Sequence, residues 1–183
     1  CDSVLTVARE TGCTRVVTLG ALLADVPHTR PLRVTGTTTD PELMDRLRLQ
    51  RSRYEGPTGI VGVLHDRCRA AGITSASLWA PVPHYVATPP NPPAIRALLD
   101  RLAELAGLEL DLRELAVASE AWRARVDSAV SGDDDLREYV VGLEEQLDEA
   151  DANPDDAADP VDLPTGDAIA EAFEEYLREQ GLE

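Results

Sequence analysis

The chain has no lysine: all 17 of its basic residues are arginines. A Walker-type phosphate clamp needs a lysine reaching the β- and γ-phosphates, so that class of nucleotide site is excluded. The arginine bias, beside the richness in Ala and Asp, reads as coding preference rather than chemistry. Cysteine is also scarce, at 3 in 183 residues. Cys1, Cys13 and Cys68 have neither CxxC nor zinc spacing, so neither a redox pair nor a structural zinc follows. Their odd number and wide separation fit a reducing compartment, and the expected location is cytoplasmic. No apolar run approaches the roughly 20 residues that a membrane-spanning helix requires. No serine stands in a GxSxG elbow, and no GxGxxG fingerprint occurs.

What is present suits one sizeable core with an appended helical piece, at 43% hydrophobic residues over 183. The net charge of −17 is unevenly placed. Residues 1–100 hold 11 arginines and 9 acids, whereas residues 101–183 hold 6 arginines and 25 acids. A field of that sign repels phosphate backbones and anionic lipid, so neither nucleic acid nor membrane is an expected partner. The acids themselves read as a solvated helical face. The chain begins Cys-Asp-Ser without an initiator Met, and these residues already resemble the inside of a helix. The start therefore reads as a cut or undefined one; the alternatives are a removed signal peptide and a free N-terminal Cys1 acting as nucleophile.

Taken in order, Val4, Leu5, Val7 and Ala8 mark the end of a helix stopped by Gly12. Arg15–Gly20 is a continuous apolar strand of the kind buried on both faces of a parallel sheet. Residues 21–31 read as a loop and Leu32–Thr37 as a second strand. Asp40 N-caps a short helix with Pro41 in its first turn. Glu55-Gly56-Pro57-Thr58-Gly59 is a tight turn, with Thr58 as N-cap of a helix whose apolar stripe is Ile60, Val61, Leu64, Cys68 and Ala71. His65 falls off that stripe, at a surface or interface. Ile73–Leu78 is a buried strand, and Trp79 to Tyr85 a proline-stiffened loop. Asn91-Pro92-Pro93 caps a helix with Ile95, Leu98, Leu99, Leu102 and Leu105 inward. Residues 109–150 read as a helical hairpin with Trp122 in its core, residues 151–164 as an acidic linker, and residues 165–183 as a last helix with Ile169, Phe173, Tyr176 and Leu177 on one face.

Residues with chemical potential gather on three loops, each beside a predicted strand. They are Asp25, His28 and Thr29; Tyr54, Glu55, Gly56, Thr58 and Gly59; and Trp79, His84 and Tyr85. In a parallel sheet such loops meet at the carboxyl rim, where ligands usually bind. His28 and His84 both follow Val-Pro and form a candidate acid–base pair, with Asp25 or Glu55 orienting one ring. The Gly56–Gly59 turn presents backbone N–H groups to an anion. The plainer readings are that each histidine binds loop backbone and that the glycines make a turn. No residue is assigned a catalytic role, no metal site is expected and no cofactor is implied.

The phrases YEGPTGIVGVLHDRCRAAGI (54–73) and SASLWAPVPHYV (75–86) are similar, in that order, to the PAC2 family, named for proteasome assembly chaperone 2, in its bacterial branch. The resemblance implies an α/β fold: a three-layer α/β/α core with a mostly parallel, phosphorylase-like sheet and a C-terminal helical extension. Residues 1–108 would then be the C-terminal part of that core, the family's front strands lying outside this sequence. It also implies a protein-interaction role, assembly-chaperone-like, with protein partners and a homo-oligomer, a trimer being the stoichiometry suggested. The chain departs from ring-docking relatives in ending Arg178-Glu179-Gln180-Gly181-Leu182-Glu183, without a hydrophobic-Tyr-X tail. The alternative function is a site for a nucleoside or anionic metabolite at the rim, which a thermal-shift panel with such ligands would detect.

Overall fold

The structure is a computed structural model that describes residues 1–38, 40, 43, 59–86 and 88–152. Five helices and three strands follow one another: α1 (Asp2–Glu10), β1 (Arg15–Ala24), β2 (Thr35–Thr38), α2 (Ile60–Ala70), β3 (Thr74–Pro83), α3 (Pro92–Ala106), α4 (Arg113–Ser131) and α5 (Asp134–Ala152). A short 3₁₀ turn, His84–Val86, follows β3.

β3 is the middle strand, in the order β1-β3-β2. It runs parallel to β1 from Arg15↔Thr74 to Ala24↔Pro83. It is antiparallel to β2, from Thr35↔Trp79 to Thr38↔Ala76. The strand expected at 32–37 is thus shorter and reversed, so the sheet is mixed. Leu32 and Val34 instead enter the core just ahead of it.

Alternation along β3 sorts its side chains onto two faces. Ala76, Leu78, Ala80 and Val82 pack with Ala94 and Leu105 of α3. Across the sheet, Leu5 and Ala8 of α1 join Cys68 of α2 and Ile73, with Val16 and Leu64 beside them. The result is three layers: α1 and α2, the sheet, then α3. α3 begins with Asn91, whose side chain accepts the Ala94 N–H, and ends at Gly107 in the left-handed region at φ 67°.

Three boundaries differ from the sequence reading. β1 continues to Ala24, into the stretch read as loop. The expected Trp79–Tyr85 loop is strand as far as Pro83. Beyond Trp79 no residue of β2 pairs with β3, so Pro81 and Pro83 stand where only one neighbour is present, a place that tolerates proline. β1, expected to be covered on both faces, is an edge among the described strands and leaves Leu19, Leu22 and Leu23 exposed.

α4 and α5 pack on one another, with Trp122, Val126, Val130 and Val140 buried between them. Their core also takes in Tyr85 and Val86 from the 3₁₀ turn, which ties the pair to the end of β3. No described helix is long and apolar enough to cross a membrane. The linker expected at 151–164 begins inside α5, which runs to Ala152, and its remainder lies outside the described residues, as does the helix expected at 165–183.

Candidate functional site: a histidine–tyrosine latch at the sheet rim

The chain leaves β1 at Ala24 and β3 at Pro83, two paired residues, so the segments that follow start side by side. This juxtaposition brings Asp25, His28, Thr29, His84 and Tyr85 together. Tyr85 is the hub. Its ring centroid lies 5.8 Å from that of His28, 5.8 Å from that of His84 and 6.1 Å from that of Tyr139, each pair edge-on. His84 also stands edge-on to Tyr139, at 5.5 Å. Edge-to-face contacts of this kind add to plain area burial.

The hydrogen bonds assign protons. The His28 backbone N–H donates to the Tyr85 hydroxyl oxygen at 2.8 Å, and His28 Nδ1 lies 2.8 Å from the same oxygen. His28 Nε2 faces Asp127 Oδ1 at 3.0 Å. A carboxylate only accepts, so Nε2 carries a proton and donates to Asp127. In the neutral ring Nδ1 is then the acceptor, taking the Tyr85 O–H. Each partner has a matching role, and His28 is buried at 4% exposure. Burial pushes the Tyr85 phenol above its ordinary range; the His28 N–H pulls the other way, and Glu144, Tyr139 and Asp127 add to the rise.

His84 is the open side of the cluster. Its Nδ1 lies 3.1 Å from Asp25 Oδ1, with the imidazole 42% exposed. The Tyr139 hydroxyl donates to the same Asp25 oxygen at 3.4 Å. Desolvation, then the Asp25 charge and hydrogen bond, raise the Tyr139 phenol.

Beside the rings runs an ionic seam. Thr29 donates to Glu144. Arg30 binds Glu144 at 3.3 Å and Asp148 through two nitrogens, at 3.1 and 2.8 Å. Arg33 pairs with Asp151. Val140, Glu144, Asp148 and Asp151 recur at helical spacing, so one face of α5 grips residues 29–33. The hydrogen bond from Arg30 holds the Asp148 carboxyl below its usual range. These acids, read from sequence as a solvated face, are fastening groups.

Asp127, Tyr139 and Glu144 were not among the sequence candidates. The signal that held them was the helical period: Tyr139 is on the α5 stripe, and Asp127 follows the buried Val126.

Trp79 does not join the cluster. It sits on the α2-facing side of the sheet, where its indole N–H donates to Ser77 Oγ at 2.8 Å. Its ring covers Gly20, and a Cβ there would fall 2.5 Å from the nearest ring atom. Gly59 is the N-cap residue of α2, in place of Thr58, and makes no side-chain cap. Tyr54, Glu55, Gly56 and Thr58 lie outside the described residues. His65, expected at a surface or interface, is turned onto the sheet: its Nδ1 is 2.7 Å from Ser75 Oγ and its Nε2 3.5 Å from Thr18 Oγ1. Desolvation lowers its pKa from 6.5, the nearby Asp66 opposing.

Among the described residues no group of three or more His, Cys, Asp or Glu has metal-binding geometry. A concavity of about 350 Å³ lies between α1 and α2 rather than at the histidines. The polar atoms of the rim cluster are matched to one another and join β1, β3, α4 and α5 as a latch.

A three-layer α/β sandwich whose helical arm is latched to the carboxyl rim of its sheet defines the structural class. The chain belongs to the PAC2 family, whose model matches residues 1–130. Its structure is similar to that of a PAC2 family protein from Streptomyces avermitilis, with a TM-score of 0.68 and 48% identity, covering 76% of this chain and 59% of that one. A proteasome-assembly chaperone homologue from Mycobacterium tuberculosis gives 0.69 and 45%, covering 76% and 59%. A second M. tuberculosis protein, of unknown function, gives 0.78 and 29%, covering 85% and 53%. The chain thus spans a little more than half the length of these relatives. Comparison with curated proteins finds no match.

Proposed function

We infer that the chain is a non-catalytic protein-interaction module, assembly-chaperone-like, whose partners are proteasome subunits and further copies of its own kind. The observation that carries this reading is the flank of β1. β1 is ten residues long with one hydrogen-bonding edge unpaired among the described strands, and it presents Leu19, Leu22 and Leu23 at 46%, 44% and 59% exposure. A free edge bordered by leucines is a template for another polypeptide. Membership of the PAC2 family, and likeness to a proteasome-assembly chaperone homologue, supply the partner class. The rim agrees with a binding role, since the buried histidine spends both nitrogens on internal partners.

Native mass spectrometry of the chain mixed with proteasome α and β subunits from the same cell tests the reading. A complex should form at micromolar concentration, and replacing Leu22 and Leu23 together by Asp should weaken it by about tenfold or more, as loss of an interface anchor does. No complex with either subunit type, or one indifferent to the paired substitution, would overturn it.

A further inference from the structure

α1 and α2 lie side by side on one face of the sheet, and between them runs a groove of about 350 Å³. Its walls are Asp2, Leu5, Thr6 and Arg9 from α1, and Arg67, Ala70 and Ala71 at the end of α2. On α2 the wall continues: Ile60, Val63, Arg67 and Ala70 share one side at helical spacing, with Ile60 and Val63 71% and 39% exposed. Arg9 and Arg67 have no ion-pair partner among the described residues, a state they share with Arg15, Arg123 and Arg125. In a chain of net charge −17 the two stand on facing walls of one groove.

We propose that the groove between α1 and α2 receives the chain's own carboxy-terminal segment, residues 165–180. The segment carries Ile169, Phe173, Tyr176 and Leu177 at the spacing of one helix face. Residues 153–183 hold 10 acids against a single arginine, Arg178. An amphipathic acidic helix laid along this groove satisfies both surfaces at once: its apolar face covers Ile60, Val63 and Ala70, and its carboxylates reach Arg9 and Arg67. Asp2 is the one acid on the wall. It stands in the first turn of α1, where the helix dipole already holds it.

Hydrogen exchange on the intact chain decides the matter. Amides of 165–180 should exchange at least about tenfold more slowly than those of the 153–164 linker, the protection expected of a docked segment. Replacing Arg9 and Arg67 by Glu should abolish most of that protection while leaving β3 protected. Phe173→Asp, which alters only the segment, should in turn speed exchange over residues 60–71, and it decides the question if the arginine variant disturbs β3. Exchange of 165–180 at the rate of unstructured chain would overturn the proposal. So would protection unchanged in a folded arginine variant, or 60–71 amides indifferent to Phe173→Asp.

Discussion

Single side chains divide the rim into a part that holds the fold and a part that decorates it. The Tyr85 hydroxyl serves both the backbone N–H and the Nδ1 of a buried histidine, so Tyr85→Phe keeps the ring contacts and orphans two buried groups. Its expected cost is about 1–3 kcal/mol in a denaturant melt. His84→Ala removes an exposed pair with Asp25 and should cost about 1 kcal/mol or less. An order in which His84 outweighs Tyr85 would refute the latch. On the other face, Gly20→Ala drives a methyl into the Trp79 ring. That overpacking should destabilise by about 1–3 kcal/mol, and Trp79→Leu should relieve part of it, a coupling that a double-mutant cycle measures. His65 gives a pH signature. Its folded pKa lies below the unfolded value of 6.5 because burial disfavours the charge. The unfolded chain therefore binds the extra proton first as pH falls, and the His65 contribution, complete above neutrality, is lost below about 6.5. Unfolding free energies measured from pH 7.5 downward should fall less steeply for His65→Asn than for the parent; equal slopes would mean that His65 stays as solvated as in the unfolded chain.

Among elements, the contest is between the ionic seam and the aromatic core that both hold α5. Arg30 and Arg33 are partly exposed, so solvent screens their pairs and leaves each a weak stabiliser. Trp122, Val126 and Val140 are large apolar groups at 5–6% exposure, worth roughly 2 kcal/mol apiece on burial. The core wins, and the seam sets alignment. Replacing Arg30 and Arg33 together by Ala should lower the melting midpoint only modestly but raise hydrogen exchange over residues 140–152, most visibly in low salt, where the intact seam is strongest. This division explains what the sequence revealed. Helical stripes are periodic, so α3, α4, α5 and the core place of Trp122 could be read directly. The reach of β3 could not, because Pro81 and Pro83 suggest a break unless one knows that β2 stops short of them. The pairing of α5 acids with Arg30 and Arg33 also escaped, since charges spaced like a solvated face look the same whether or not a basic loop lies against them. The rim was legible as a set of loops and not as a bonded cluster, because Asp127 and Tyr139 come from helices far along the chain.

For the molecule as a whole, charge and apolar surface pull in opposite directions. A net −17 keeps copies apart, while exposed Leu19, Leu22 and Leu23 favour contact. Self-association, proposed above, should therefore strengthen as salt screens the repulsion. Light scattering at micromolar concentration should show a mass above that of one chain, larger in about 0.3 M salt than in 0.02 M by this screening argument; a single-chain mass at both would refute it. The central position of β3 has a further consequence, in time. Every residue of β1 pairs with one 59 positions later, and β2 also has β3 as its partner. Neither described pairing can form until β3 has been made. At typical synthesis rates, β1 waits about 3–12 seconds for β3 to follow it. Such distant parallel pairing is also slow to close once its partner appears. Until then β1 and its leucines lack the β3 edge they pair with, so a chain proposed here to act in the assembly of others would itself gain from shelter during its own synthesis.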